Sequence, residues 1–587
     1  MIEPYRMVII NIICFFLVGV SLLFYRYIYP KKKFHLLIVL IVISFFGIMS
    51  VLRNGVYESG DFNLHIYRTM AFYDAIKDGQ LMPSWAGELN GTYGYPLFIF
   101  LNPLPYYAMS LLHFLGLSFI WSMKIYLIIT YVSSGLFMYL FTKLIFKNNY
   151  AAFTAAIFYL FAPYHLVDQH FRVAIGEITF FAVLPLFMIT LEKVFLSPRL
   201  FSAVLCGVLF FFLFASHQAI LLLSLPLIAA YILFRLRGIK NRLKTILSLL
   251  FSFLIGMTTS SYIWFSQVYL TQYTHAHLIS GSSVSFQEIQ ELLYSPWRYG
   301  FLFQGPTGQL SFVIGYTQII AVSIAFFLLL RKKVNKKIRE FLFFWLCLIL
   351  FYLFMILPYS KIIWDTVPLI NTARLSYRLL LLVCFTISVL SGLVALHYYK
   401  KRLFLVTAIG LTILYTSLNW GNRGVISTIT DETLRSGLPV STAAGEGLAY
   451  LGTPRWVNPQ HIWMRNAPKK HAEVVDGEGE IVEINRSTNK HQYLINANTQ
   501  MTIRENTTFF PGWKIFDNKK EVKIDYENKM DQGVMRFSVS KGLHFITVRY
   551  TDIQELRIVK QVSSLSLTLC ILFLLYVALF RRNYTKR

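Results

Sequence analysis

Three ionisable residues, Asp61, His65 and Arg68, stand at helical spacing just beyond the apolar run Phe34 to Leu52. In a helix that begins here, positions i, i+4 and i+7 share one face, so a carboxylate, an imidazole and a guanidinium would line up. Ionisable groups at a membrane edge are costly and mark functional sites. We therefore interpret this face as a candidate site for acid–base chemistry. The alternative is that Asp61 only caps the helix.

The composition indicates a membrane protein. Of 587 residues 56% are hydrophobic and 14% are charged, and the mean hydropathy is +0.54, which excludes an ordinary soluble globule. Apolar stretches recur along the chain, each long enough to cross the ~30 Å core of a bilayer. We predict a polytopic α-helical membrane protein with about 13 transmembrane helices. The predicted spans lie near residues 8–29, 34–52, 121–146, 150–163, 176–193, 199–216, 219–236, 244–265, 310–331, 339–357, 377–398, 403–420 and 561–580.

The chain has a net charge of +26, and the positions of its basic residues indicate the membrane topology. Basic residues cluster in short links between the spans, which is the positive-inside pattern and argues against nucleic acid as a partner. It predicts a cell-membrane protein with its amino terminus outside and its carboxyl terminus in the cytoplasm. The basic clusters are Lys31-Lys32-Lys33, Lys143 with Lys147, Arg235 to Lys244, Arg331 to Arg339, Lys400 to Arg402, and Arg581-Arg582.

One apolar segment, Leu97 to Leu117, does not fit this topology. If it crossed the membrane, the basic links after it would lie on the wrong side. It also contains Asn102, Pro103 and Pro105, which interrupt a helix. We predict an outer-leaflet re-entrant or juxtamembrane element.

The predicted topology places polar residues from four separate links on the outer side. They include acids and bases in the first loop and after the fourth span, a histidine at a hairpin tip, and two arginines one helical turn apart. Groups of this kind at one depth predict a site. The predicted catalytic residues are Asp61, His65, Asp168 and Glu177, and the predicted substrate-binding residues are Arg68, Tyr95, Arg172, His217, Arg374 and Arg378.

Residues 421–560 differ in character from the rest of the chain. Short β-rich runs alternate with Asn, Gly, Lys and Asp turns, which predicts a small extracytoplasmic β-sandwich before the last helix. Trp513 there is either a sugar-stacking residue or, as we favour, part of the core. The predicted domains are 1–420 (transmembrane, catalytic), 421–560 (β-rich) and 561–587 (last helix and basic tail). The predicted strands are Glu480–Asn485, Gln492–Ala497, Val522–Tyr526, Val534–Val539 and His544–Tyr550.

Several nucleotide and metal motifs are absent from the sequence. There is no Walker A loop, no dinucleotide fingerprint and no paired-cysteine metal spacing. All five cysteines lie in apolar runs, which excludes a disulfide framework in the polar region. We expect no protein-held cofactor, although a divalent metal is compatible with the sequence.

Short strings along nearly the whole chain resemble one family, the bacterial GT-C-like multi-span membrane glycosyltransferases. Some of these proteins are labelled 6-pyruvoyl-tetrahydropterin-synthase-related membrane proteins, and some are implicated in glycosylating lipoteichoic acid and other surface polymers. The chain departs from the family pattern at Ser376-Tyr377, where Pro-Trp is usual. The strings are Gly60-Asp61 with His65 and Arg68, Gly94-Tyr95-Pro96-Leu97-Phe98, Pro103-Leu104-Pro105-Tyr106-Tyr107, Phe161-Ala162-Pro163-Tyr164 through Asp168 and Arg172 to Gly176-Glu177, Ser216-His217-Gln218, Trp364-Asp365-Thr366-Val367-Pro368 with Arg378, and Pro511-Gly512-Trp513-Lys514.

The resemblance implies an inverting glycosyltransferase that moves a sugar from a polyprenyl-phosphate carrier to a cell-envelope acceptor on the outer face of the membrane. The carrier-linked sugar is then a substrate, the acceptor is a surface polymer or glycan, and a companion glycosyltransferase charges the carrier. Such a reaction needs a base for the acceptor hydroxyl and cations for the departing phosphate.

Two other classes of function stay open. A lipid-linked-glycan flippase or transporter would carry ionisable residues at mid-span, near the bilayer centre. A non-catalytic envelope scaffold would tolerate the loss of Asp61.

Overall fold

A computed structural model describes residues 6–32, 35–276, 284–331, 334–371, 373–421, 423–441, 452–457, 466–528 and 530–580. Of the predicted basic clusters, Lys33, Lys332, Lys333 and Arg581-Arg582 lie outside these residues, as does Phe34. The α-helices are α1 Arg6–Ile28, α2 Leu36–Ile48, α3 Phe62–Lys77, α4 Pro103–Phe114, α5 Phe119–Phe146, α6 Asn149–Leu160, α7 Pro163–Val167, α8 Ile175–Leu196, α9 Leu200–Ser216, α10 Gln218–Leu236, α11 Arg242–Thr259, α12 Ser261–Leu270, α13 Ile289–Leu293, α14 Tyr316–Leu330, α15 Lys336–Ile356, α16 Lys361–Thr366, α17 Pro368–Asn371, α18 Leu380–His397, α19 Arg402–Gly421, α20 Asp431–Gly437 and α21 Gln554–Phe580.

The helices fit a multi-pass membrane protein. Among the described residues, nine helices are long and apolar enough to cross a membrane, or ten if the bent pair Asn149–Leu160 and Pro163–Arg172 is one span. A helix lies at each predicted span, but α2, α9 and α14 are shorter than the nine. The predicted number of spans is reached only if the bent pair and these three helices also cross, so it stays a prediction.

The segment from Leu97 to Leu117 contains a 3-10 turn and the 12-residue helix α4. The helix begins at Pro103, where the missing N–H of proline costs no hydrogen bond. Twelve helical residues rise about 18 Å, well short of the ~30 Å bilayer core. On its own, α4 is therefore too short to span a bilayer.

The chain folds into two compact units that interleave along the sequence. Because each unit draws on three separate stretches, the domain boundaries predicted at residues 420 and 560 stay a prediction. The first unit comprises Met1–Phe62, Met123–Gly256 and Ser283–Thr428, and the second comprises Asn63–Ser122, Met257–Ser282 and Ile429–Arg587.

Helix α18 forms the centre of the first unit. It is apolar on all sides and buried over almost its whole length, as expected for an internal helix. It packs against α6, α14 and α15. Gly392 permits the approach of α6, because a Cβ at that position would lie 3.1 Å from the carbonyl oxygen of Ala151.

A short antiparallel pair of strands lies just before the candidate site of the first unit in the chain. Strand β1 (Val56–Tyr57) pairs with strand β2 (Val425–Ile426), which follows α19. The chain then continues through Gly60 to Asp61, the last residue before α3. The backbone position of Asp61 is therefore held by long-range pairing.

The second unit contains α3, α4, α12, α21 and two antiparallel sheets. We call the two sheets together the β-domain. One sheet has the strand order β4-β5-β10-β7-β8 and the other has β3-β6-β9. Buried side chains from both sheets belong to one hydrophobic cluster. The strands are β3 Ala472–Asp476, β4 Gly479–Ser487, β5 Lys490–Ala497, β6 Met501–Thr508, β7 Trp513–Asp517, β8 Lys520–Val522, β9 Val534–Val539 and β10 Gly542–Tyr550.

The β-domain differs from the strand prediction in two ways. The predicted strand Val522–Tyr526 is wrong, because β8 ends at Val522. Strands β3 and β6 were not among the predicted strands. The turn at Asn518-Lys519 joins β7 to β8, with both residues at positive φ, as type I′ hairpin turns require.

The first loop after α3 packs into the core of the β-domain. Trp85 is fully buried, with its ring edge-on to Trp513 at 5.3 Å and stacked on Tyr550 at 5.5 Å. Trp513 itself is 3% exposed, so the sugar-stacking interpretation of this residue is wrong. At the start of α21, Lys560 Nζ donates to Ser84 Oγ at 2.7 Å and joins the same loop to the last helix.

Candidate functional site

Arg172 is the centre of a buried ion-pair cluster in the first unit. Its Nη1 donates to Asp168 Oδ1 and to Tyr164 Oη, the latter at 2.9 Å. Its Nη2 donates to Glu177 Oε1 at 2.8 Å. Tyr164 Oη in turn donates to Glu177 Oε2 at 2.6 Å. The structure thus joins three of the predicted residues, Asp168, Arg172 and Glu177, in one network.

The backbone that carries this cluster departs from a regular helix. Residues Asp168–Arg172 form a π-helical turn after α7, and π-turns inside helices often occur at functional sites. Val173, which follows, has a φ of 56°. A left-handed conformation is strained for a β-branched residue, and such strain persists only where the surrounding structure imposes it. The strained turn brings Arg172 beside the start of α8, where Glu177 lies.

Arg378 joins the cluster from a distant part of the chain. It lies in the 3-10 turn Ser376–Leu379, and its Nε donates to Glu177 Oε1 at 3.2 Å. Its Nη1 donates to the carbonyl oxygen of Ala373 at 3.0 Å. The ring of Tyr377 lies 5.1 Å from the Arg172 guanidinium.

The two carboxylates and the two guanidinium groups differ in exposure. The side chains of Asp168 and Glu177 are 0% and 1% exposed, whereas those of Arg172 and Arg378 are 13% and 22% exposed. The carboxylates therefore bind the inner side of the arginines. A guanidinium has five N–H donors, and the ion pairs use only some of them. The arrangement holds two cations in fixed positions with part of each surface accessible.

The backbone of Asp61 is attached to this cluster. Its amide donates to the carbonyl oxygen of Arg172 at 2.9 Å, and the amide of Gly60 donates to the carbonyl oxygen of Phe171 at 2.7 Å. A Cβ at Gly60 would lie 3.3 Å from the Arg172 carbonyl oxygen, so this close approach favours glycine. Asp61 is half-buried, in contrast to the fully buried Asp168 and Glu177.

His217 and Arg374 are two further predicted site residues that belong to the first unit. His217 is the N-cap of α10, where its Nδ1 accepts from the amide of Ile220 at 3.3 Å, and it lies within electrostatic reach of Glu177 and Arg378. Arg374 has a φ of 55°, and its carbonyl oxygen accepts from the amide of Ser285 at 2.9 Å.

The other predicted residues, His65, Arg68 and Tyr95, belong to the second unit. There His65 and Arg68 meet at Tyr106, which was not among the predicted site residues. Its hydroxyl lies 2.9 Å from His65 Nδ1 and accepts from Arg68 Nη1 at 3.3 Å. The side chains of His65, Arg68, Tyr95 and Tyr106 are all buried. The spacing of His65 and Arg68 on one helix face thus produces a shared hydrogen-bond partner.

Burial determines the protonation states of His65 and Tyr95. Burial, and next the charge of Arg68, lowers the pKa of His65 well below its usual value, so the imidazole is neutral at neutral pH. Burial likewise raises the pKa of Tyr95, although Arg68 opposes this shift. Neutral His65 can orient or polarise a neighbouring group.

Tyr164 and Tyr106 are the residues that sequence reasoning did not select. Each is a hydroxyl that joins two charged or titratable side chains, and each lies in a string that carries the family resemblance. The signal available was therefore their place in those strings. Among the described residues, no group of three or more His, Cys, Asp and Glu side chains is placed to hold a metal ion.

Comparisons with known proteins give limited similarity. No protein-family profile matches the chain. An uncharacterised protein of Lactococcus lactis subsp. cremoris (strain MG1363) is 26% identical over 121 residues, which cover 21% of this chain and 20% of that protein. The chain thus matches only a fifth of that relative.

Two kinds of solved structure are also similar in part. An apo oligosaccharyltransferase from Archaeoglobus fulgidus has a TM-score of 0.41 at 12% identity, over 67% of this chain and 56% of that one. The arabinofuranosyltransferase AftD from mycobacteria has a TM-score of 0.39 at 15% identity, over 66% of this chain and 27% of that one. Both TM-scores are below 0.5 and do not establish a shared fold.

Proposed function

We propose that this chain is an inverting glycosyltransferase that moves a sugar from a polyprenyl-phosphate carrier to an envelope acceptor on the outer face of the membrane. The observation that supports this proposal best is the Arg172 cluster. It holds two partly exposed arginines on buried carboxylates, next to the backbone of a more accessible carboxylate. This arrangement suits a reaction in which one group loses a proton and another leaves as a phosphate.

In this proposal, Arg172 and Arg378 bind the carrier phosphate. The guanidinium fork matches phosphate oxygens, and fixed donors stabilise the charge that develops on a leaving group without reorganising first. Glu177 acts as a positioning residue, since its Oε1 accepts from both arginines and its Oε2 from Tyr164. Asp168 is a second positioning residue, because its Oδ1 accepts from Arg172 Nη1 while Glu177 accepts from Nη2.

Asp61 is the proposed general base. A base must reach the acceptor hydroxyl, and Asp61 is the least buried of the three carboxylates at the site. The oxygens of Glu177 accept hydrogen bonds from Arg172, Arg378 and Tyr164, which argues against Glu177 as the base. His217, Arg374, Arg68 and Tyr95 stay candidate substrate contacts, and His65 a candidate orienting group.

The decisive experiment measures transfer directly. Purified protein in lipid nanodiscs is incubated with radiolabelled polyprenyl-phospho-sugars and a cell-envelope extract, and the label is followed into polymer. Asp61→Asn is compared with Asp476→Asn, which removes an exposed carboxylate in β3. We expect transfer by the native protein and by Asp476→Asn, and loss of transfer in Asp61→Asn.

The same experiment separates the alternative functions. A flippase would move the labelled lipid across a bilayer with the sugar–phosphate bond intact, so no label would enter polymer. A scaffold would give neither transfer nor movement of the lipid. Absence of transfer with every carrier-linked sugar would contradict the proposed function.

A further inference from the structure

Arg423 is a buried arginine of the first unit that follows helix α19. Only 9% of its surface is exposed. None of the ion pairs among the described residues involves Arg423, and the nearby carboxylate of Glu58 is exposed. A buried guanidinium without a paired carboxylate is costly, because its charge is removed from water. Its partners are instead neutral groups, and they indicate its role.

Arg423 binds the chain segment that ends at Asp61. Its Nη2 donates to the carbonyl oxygen of Glu58, and the amide of Glu58 donates to the carbonyl oxygen of Gly424 at 3.1 Å. The second of these hydrogen bonds extends the pairing of β1 with β2 toward Asp61. The backbone is therefore fixed at Glu58, shortly before the proposed general base.

Arg423 also covers the turn to which the Asp61 backbone is attached. Its guanidinium carbon lies 4.2 Å from the centre of the Phe171 ring, within the range of a cation–π contact. The carbonyl oxygen of Phe171 accepts from the amide of Gly60 at 2.7 Å. Arg423 therefore contacts both segments that meet at Gly60 and Asp61, the one that follows β1 and the π-helical turn.

Two further residues hold Arg423 itself in place. Its Nη1 donates to Gln304 Oε1 at 2.9 Å, and its carbonyl oxygen accepts from Arg53 Nη2. Arg53 Nε in turn donates to the carbonyl oxygen of Ser50 at 3.1 Å. The guanidinium fork thus joins two acceptors from distant parts of the chain, Glu58 and Gln304.

We propose that Arg423 is a positioning residue for the Asp61 carboxylate. This inference rests on the proposed role of Asp61 as the general base. A base must lie within hydrogen-bond reach of the acceptor hydroxyl, and a displacement of about 1 Å can cost about 10²-fold in rate. Arg423 restricts such a displacement, because it holds the segment before Asp61 and the turn that binds its amide. It acts on turnover and not on binding of the carrier.

The test compares Arg423→Met with Arg235→Met in lipid nanodiscs. Arg235 is a partly buried arginine of the first unit that binds Glu192, roughly 22 Å beyond Glu177 along the axis of α8. Its removal leaves a buried carboxylate without its ion-pair partner, which gives a destabilised protein with an intact Asp61 segment. We expect kcat to fall at least about tenfold in Arg423→Met, with KM for the carrier-linked sugar within about twofold of native. Arg235→Met should keep the native kcat.

Hydrogen exchange provides a local measurement that a general loss of stability would not reproduce. In Arg423→Met, the amides of Gly60 and Asp61 should exchange at least about tenfold faster, whereas peptides from α18 should keep their native rates. In Arg235→Met, the amides of Gly60 and Asp61 should keep their native protection. This pattern would assign the loss of kcat to the position of Asp61.

Three results would each overturn the proposal: native kcat in Arg423→Met, native exchange at Gly60 and Asp61, or an equal loss of kcat in Arg235→Met. A higher KM with native kcat would instead make Arg423 a binding residue. If Arg423→Met does not fold, Arg423→Lys, which keeps the charge but lacks the planar fork, is measured in the same way. Absence of transfer by the native protein would contradict the proposed function, and hydrogen exchange alone would then decide whether Arg423 holds the Asp61 backbone.

Discussion

The backbone amide of Asp61 donates a hydrogen bond to the carbonyl oxygen of Arg172, with nitrogen and oxygen 2.9 Å apart. The same Arg172 binds Asp168 and Glu177 through its guanidinium group. One residue thus fixes the backbone of one carboxylate and the side chains of two others. This relationship separates the roles of the three acids, because only Asp61 is left partly accessible.

Asp61→Asn should abolish transfer while leaving the protein folded. Asn can still cap α3 as well as Asp, but it cannot accept a proton at neutral pH. If Asp61 is the general base, sugar transfer should fall by at least ~10²-fold. The measurement is the initial rate of label transfer, with the amount of inserted protein as a control. Near-normal transfer in Asp61→Asn together with its loss in Asp168→Asn would move the base to Asp168.

Arg172 and Arg378 should differ in their effect on stability. Arg172→Gln leaves Asp168 buried without its ion-pair partner, which typically costs about 3–5 kcal/mol. Arg378→Gln leaves Glu177 paired with Arg172, so the fold should persist while carrier binding weakens roughly tenfold. Apparent melting temperatures in detergent and carrier-binding titrations give the two values. A melting temperature of Arg172→Gln equal to that of Arg378→Gln would contradict the proposed role of the buried acids.

The topology can be tested with single cysteines in a cysteine-free background. Asp365→Cys should react with an impermeant thiol reagent from outside, and Lys147→Cys should react only after permeabilisation. Both positions are exposed, whereas Gln169, also in an outer link, is fully buried and unsuitable. Labelling of Lys147→Cys in intact cells would reverse the orientation of the spans and place the Arg172 cluster on the cytoplasmic side.

The β-domain should lose stability in acid through Glu505. Burial alone would raise the pKa of Glu505, but His491, through its charge and its hydrogen bond at 2.8 Å, and then Arg486 lower the pKa to about 2. Burial also lowers the pKa of His491. Unfolded Glu and His titrate near ~4.3 and ~6.5. The unfolded chain therefore binds more protons, and the free energy of unfolding should fall as pH drops from about 6.5 to about 2.

Hydrogen exchange of peptides from β5 and β6, corrected for intrinsic rates, measures this loss. Glu505→Gln should be less stable than the native protein at neutral pH and less sensitive to acid, because it removes one of the two titrating groups. An equal acid sensitivity in Glu505→Gln would assign the effect to another residue.

Local features of the sequence were enough to predict the helices and several of the strands. A membrane span is recognised from its own apolar length, so each predicted span corresponds to a helix. Strands β5, β9 and β10 were found because their side chains alternate along the chain. Strand β6 was missed because its second half, from Glu505 to Thr508, is polar and yet buried, so the alternation of apolar and polar residues stops after Arg504.

The sequence by itself also determined that acids and arginines stand at the edges of apolar segments. Only the tertiary structure decided which of them meet. Arg378 reaches Glu177 across 201 positions, and Trp85 packs against Trp513 in the β-domain core. Of the predicted face, Asp61 belongs to the first unit and His65 and Arg68 belong to the second. The physical reason is that ion pairs and core contacts depend on how distant segments pack, which local spacing does not encode.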